Sequence, residues 1–170
     1  MNLFFPAQVT KEEVFSKLRT ELINQDFNIK NDERRPWGGF FVIEEKQAPR
    51  FLEIYFFRLN KEAILAENKL SPKILIVEAH KRLSWQFHHR RAEIWKVIGG
   101  NVGVVRSDSD EENPVDEFET GDIIKLKRGQ RHRLVGMHAW GVVAEIWQHT
   151  DEDNPSDEDD IVRLSDDFGR

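Results

Sequence analysis

The sequence predicts an all-β domain, a sandwich or barrel of antiparallel strands of which the jelly roll is one solution, with an N-terminal helix packed outside. Three observations carry that reading. From about residue 38 the chain breaks into short runs heavy in β-branched and aromatic residues: GGFFVIEE, RFLEIYFF, KILIVEAH, IWKVIGGNVGVV, DIIKLK and GVVAEIWQ. Turn signals separate them, at Gly38 and Gly39, Ser71 and Pro72, Gly99 and Gly100, Gly129 and Gly141. A chain of 170 residues with 39% hydrophobic content has the size and apolar share of one domain with its own core.

The elements follow in order. Residues 1–33 read as a helical lead-in and residues 34–170 as the main domain. Thr10 is a good N-cap, and Glu13 three positions later completes a capping-box pattern. Val14, Leu18, Leu22 and Ile23 then recur at helical spacing and give one apolar face. Two acidic stretches, SDSDEENPVDEFETGD at 107–122 and HTDEDNPSDEDD at 149–160, read as solvated connections. Neither has the ligand order of an EF-hand loop. The closing DIVRLSDDFGR regains apolar residues, and such a tail is expected to dock on the body.

Composition excludes several functions. A formal charge of −6 argues against a nucleic-acid surface as the main function. The absence of cysteine removes disulfides and thiolate metal sites, and is compatible with a reducing, cytoplasmic setting. No apolar run approaches the ~18 residues that span a membrane. The apolar start MNLFF is short and lacks the basic opening of a signal peptide.

The stretch LSWQFHHRRAEIW concentrates polar chemistry in an otherwise strand-like segment, with Gln86, His88 and Glu93 spaced as Q-x-H-x4-E. Side chains alternate along a strand, so Gln86 and His88 point the same way. Glu93 can return to the same interior after a short turn. His132 sits in GQRHRL, where Gly129 lets the chain turn tightly and bring it inward. Two imidazole nitrogens and two oxygens suit one divalent first-row metal with positions left open for a substrate. Zinc is the first expectation, and manganese, cobalt, nickel and iron tolerate the same ligands.

Residues 80–100 resemble the first motif of the cupins and residues 121–136 the second. The resemblance narrows further. RRPWGGF, RLSWQFHHRRAEIWKVIGGNVGVV, GQRHRL and DDIVRLSDDFGR stand in the order found in the type II phosphomannose isomerase domain. Three positions depart from the usual motifs: His80 replaces a glycine, Lys127 a proline and Gly136 an asparagine. The segment QAPRFLEIYFFRLNKEAILAENKL is longer than that family leads one to expect. The resemblance implies a double-stranded β-helix, metal ligands at Gln86, His88, Glu93 and His132, and a catalytic Arg91. It also implies conversion of mannose 6-phosphate to fructose 6-phosphate through an enediol, in a cytoplasmic enzyme acting on a small sugar phosphate.

That chemistry needs a base for the C2 proton, and Lys73 and Glu145 are the candidates. It needs cations for the phosphate, and Arg131, Arg133 and Arg170 are available beside Arg91. Three other readings use the same frame: an iron oxygenase, a metal-independent epimerase built on His80 or His89, and a non-catalytic sugar-binding cupin. MNLFF and an edge strand RFLEIYFF could pair across a two-fold axis in a homodimer.

Overall fold

The computed structural model describes residues 3–65, 69–151 and 153–170; Met1 and Asn2 of the apolar start and three residues of the long 47–70 segment lie outside them. Helix α1 (Lys11–Asn24) opens with the capping box expected of Thr10 and Glu13. It buries Val14, Phe15, Leu18 and Leu22, while Ile23, expected on that face, stays 55% exposed.

The strands β1 (Ile29–Arg35), β2 (Gly38–Ile43), β3 (Lys73–Val77), β4 (Trp85–Phe87), β5 (Arg91–Gly99) and β6 (Val102–Ser107) are followed by β7 (Asp116–Phe118) and β8 (Ile123–Leu126). Then come β9 (Arg131–Gly136), β10 (Gly141–His149) and β11 (Val162–Ser165). They form two antiparallel sheets, a six-stranded one in the order β1-β2-β3-β10-β5-β8 and a five-stranded one in the order β11-β4-β9-β6-β7. This is the cupin-type architecture. β11 is the docked tail, and Phe168 beyond it packs against the inner core.

Strand alternation sorts the six-stranded sheet into two faces. Ile74, Ile76, Ile94, Val142, Ala144 and Ile146 face outward and join one cluster with α1. Leu75, Val77, Trp95, Val97 and Val143 face inward and meet Val104 and Leu134 of the opposite sheet. The same alternation places Lys73, Glu93 and Glu145 on the inner face, among these apolar side chains. β10 is buried on both faces, which is why GVVAEIWQ reads as a nearly continuous apolar run.

Four expectations change here. RFLEIYFF is not a strand. Residues Ala48–Tyr55 form helix α2, with a proline in its first turn. Ala48, Phe51, Leu52 and Tyr55 recur at helical spacing and are buried in the outer cluster. A short helix α3 (Lys61–Leu65) follows. The two helices of this segment therefore pack on the outer face, and among the described residues the edge strand expected to pair with a second copy is not formed. Gly38 and Gly39 open β2, and the turn lies just before them at Pro36 and Trp37. The boundary drawn between residues 33 and 34 falls inside β1, which pairs with β2 along its length.

The motif departures have physical compensation. His80 takes φ +61°, the left-handed conformation that favours glycine. The Lys127 N–H, which a proline would lack, donates to Gln130 Oε1 at 3.2 Å. At Gly136 a Cβ would stand 2.0 Å from the Glu78 carbonyl oxygen, so no side chain fits. The obstructing atoms are backbone and cannot swing aside. Gly136→Ala should cost roughly 3 kcal/mol, in the upper range for single substitutions. Urea unfolding checks this, and an unchanged midpoint refutes it.

Candidate functional site

Gln86 of β4 is the direct cross-strand partner of His132 of β9, and directly opposed residues share a face. His88 follows β4 at its end, and Glu93 comes from the opposite sheet in β5. One donor atom from each of His88, Glu93 and His132 lies within 4.8 Å of the others. His88 Nε2 is 3.2 Å from Glu93 Oε1, and His132 Nε2 is 3.5 Å from Glu93 Oε2. All three residues are 2% exposed. Gln86 lines the cavity beside them, and its carboxamide oxygen accepts from Ser84 Oγ at 2.6 Å.

Hydrogen bonds set the state of the imidazoles. His88 Nδ1 lies 2.6 Å from the Asp160 carbonyl, and His132 Nδ1 lies 2.9 Å from the Gln130 carbonyl. A carbonyl can only accept, so each Nδ1 carries the proton and each Nε2 presents a lone pair toward Glu93. His132 Nε2 is buried with no hydrogen-bond partner. Burial pushes the His88 imidazole down, with Glu93 opposing, which favours the neutral ligand form. Burial alone would raise the Glu93 carboxyl. The neighbouring charge of Arg91, whose Nε donates to it at 2.8 Å, opposes this and the carboxyl is held well below the usual carboxylate range. Two lone pairs, one carboxylate and a nearby carboxamide fit a divalent metal, and these residues would hold it.

Arg91 shares the face of Glu93 two residues on, as strand alternation requires. Its Nε donates to Glu93 Oε1 at 2.8 Å, and Nη2 approaches His88 Nε2 at 3.2 Å. The guanidinium lies 3.6 Å over the Trp147 ring. Glu145 and Lys73 are cross-strand partners between β10 and β3. Trp95 Nε1 donates to both Glu93 Oε2, at 3.1 Å, and Glu145 Oε1, at 2.9 Å. Burial, and then the charge of Glu93, push the Glu145 carboxyl up to about 8. Lys73 sits 4.0 Å over Trp147 and contacts Glu158.

These groups border one cavity of about 160 Å³ between the sheets. Arg170 lines it too, with its Nε held by Asp166 at 2.7 Å. Arg131 and Arg133 do not. They alternate with His132 along β9 and so point to the other face. Arg131 pairs with Asp110 at 2.6 Å, and buried Arg133 donates to the Leu83 carbonyl and Glu112. Arg35 and Arg163 line the cavity instead. Both stand in motifs visible in the sequence, RRPWGGF and DDIVRLSDD. His80 and His89, the candidates for an epimerase pair, do not line the cavity: His80 lies against His138 and His89 against Phe87.

The acidic 149–160 segment is more than a solvated connection. Ser156 and Asp160 are buried, and they bond His88, His89, Arg90 and Arg91.

A family model described as mannose-6-phosphate isomerase C-terminal matches residues 53–166. No curated protein sequence matches the chain. Among solved structures, a mutant of Bacillus subtilis oxalate decarboxylase OxdC aligns with TM-score 0.56 at 14% identity, over 79% of this chain and 30% of that one. The capsular polysaccharide assembling protein CapF from Staphylococcus aureus aligns with TM-score 0.50 at 14% identity, over 82% of this chain and 34% of that one. This chain thus spans about a third of either protein, and at such identity the likeness is one of fold. Among the described residues no helix is long and apolar enough to cross a membrane.

Proposed function

The chain belongs to the mannose-6-phosphate isomerase C-terminal family, and on that premise we propose that it is a metal-dependent aldose–ketose isomerase converting mannose 6-phosphate to fructose 6-phosphate. One observation carries the reading: Glu93, which clusters with His88 and His132, lines the same cavity as Gln86 and the Lys73 and Glu145 pair. A divalent metal, zinc by first expectation, would supply a Lewis acid toward the C1 and C2 oxygens of the sugar.

The chain's own residues would do the rest. Glu145 moves the proton between C2 and C1, because a carboxyl raised toward neutral pH can both take and return one. Lys73 and Arg91 present positive charge to the enediolate oxygens. Arg35, Arg163 and Arg170 offer forked donors to the phosphate. The indole N–H groups of Trp37 and Trp147 are buried without partners, and both residues line the cavity. Buried donors of this kind favour a ligand rich in oxygen. An iron oxygenase would use the metal donors but has no need of these cations.

The test is turnover of mannose 6-phosphate, followed by appearance of fructose 6-phosphate, with zinc, manganese, cobalt, nickel or iron(II) added in turn. Turnover with at least one metal is expected. A protein that binds one metal per chain yet forms no fructose 6-phosphate with any of them would overturn the isomerase reading and leave the metal centre standing.

A further inference from the structure

The metal centre leans on a segment that contributes no ligand to it. Residues 156–160 approach the turn between β4 and β5 from about seventy positions away in the chain. Asp160 is 6% exposed and uses every acceptor it has. Its carboxylate accepts the His89 N–H at 3.0 Å, the Arg90 N–H at 2.9 Å and Ser156 Oγ at 2.7 Å. Its carbonyl accepts His88 Nδ1 at 2.6 Å. Ser156, fully buried, accepts Arg91 Nη1 at 2.9 Å, and the Asp157 carbonyl accepts the same nitrogen at 3.1 Å. Four consecutive residues, His88 to Arg91, are thus held from one short stretch.

We propose that Asp160 is a positioning residue of the metal centre, fixing the 88–91 turn and with it the direction of His88 Nε2, and through Ser156 the place of Arg91. The inference rests on the metal reading above. The carbonyl bond keeps His88 in the tautomer that leaves Nε2 unprotonated, and the carboxylate keeps that carbonyl where it is. Removing the carboxylate strands two backbone N–H groups and a hydroxyl in a buried turn. The imidazole then loses its fixed aim. Outer partners of this kind are worth roughly 10- to 100-fold in metal affinity.

The test uses Co²⁺ alone as the probe, with affinity measured by competition against a chromophoric chelator and coordination by the ligand-field absorption. Asp160→Ala should weaken Co²⁺ binding roughly 10- to 100-fold and alter the absorption band. Asp160→Asn, which keeps one acceptor oxygen, should fall between it and the wild type. Asp159→Ala, at an exposed neighbour of equal charge, should match the wild type. Thermal melts of the metal-free proteins check folding. If Asp160→Ala does not fold, Ser156→Ala carries the test, with a several-fold loss expected. Binding and spectra equal to wild type in the folded variants would overturn the proposal. So would an equal loss in Asp159→Ala, or in Asp160→Asn with an unchanged spectrum, since either would mark a charge effect. A wild type that takes up no Co²⁺ would remove the metal centre itself, and this inference with it.

Discussion

His132→Ala is expected to lose the metal and keep the fold. His132 Nε2 is buried, carries a lone pair and has no hydrogen-bond partner, so the ring contributes little to the fold through that atom. Its loss leaves a space beside Trp95 and His88 and strips one of the two imidazole donors. Core vacancies of that size cost about 1–3 kcal/mol. Clusters on both faces of the six-stranded sheet remain to hold the chain. The affinity loss should exceed the roughly 100-fold ceiling for an outer partner, because here a ligand itself is gone. Elemental analysis after purification without chelators should find one metal per wild-type chain and next to none in the variant. Thermal melts give a second readout. Metal at 100 times its Kd stabilises the wild type by about 2.7 kcal/mol, and that gain should vanish in His132→Ala. His88→Ala should behave alike. Full metal content in both variants would mean that these histidines are not the ligands.

The grouping of His88, Glu93 and His132, with Gln86 beside them, was legible because strand alternation is a local rule. Gln86 and His88 share a face by parity alone, and the glycine before His132 marks the turn that brings it inward. The same rule turns Arg131 and Arg133 away from His132, so their place on the other face was also in the sequence. Their charge drew attention first, and charge carries no direction. α2 was hidden for a related reason. The aromatic richness of RFLEIYFF suggests a strand, yet the spacing of Ala48, Phe51, Leu52 and Tyr55 is helical and Pro49 marks the start. The role of Asp160 was not legible at all. It depends on a contact across some seventy residues, and an acidic, turn-rich run has the composition of a solvated loop whether or not it docks. Gly136 shows the same limit, since only the approach of the Glu78 carbonyl explains why no side chain stands there.

Arg91→Ala is expected to keep the metal and the fold and to lose isomerase turnover by roughly two orders of magnitude or more, the usual scale for removing one preorganised electrostatic stabiliser. Such a loss corresponds to about 2.7 kcal/mol of transition-state stabilisation. Arg91 is 3% exposed, stacks on Trp147 and reaches Glu93 and His88, so its charge acts where water is largely excluded. A cation so placed gains most when negative charge develops on the enediolate. Metal content should hold, because removing a positive charge beside the ligands does not disfavour a dication. Arg91→Lys should restore little. A single ammonium cannot meet Glu93, Ser156 and Asp157 at once as the guanidinium fork does. Arg90 is the control. Its side chain bonds Asn154, the Pro155 carbonyl and Asp157, and does not line the cavity. Arg90→Ala should therefore stay within a few-fold of wild type in kcat/KM for mannose 6-phosphate. Equal turnover in Arg90→Ala and Arg91→Ala, with metal retained in both, would show that the buried guanidinium only holds the 156–160 segment in place and takes no part in the chemistry.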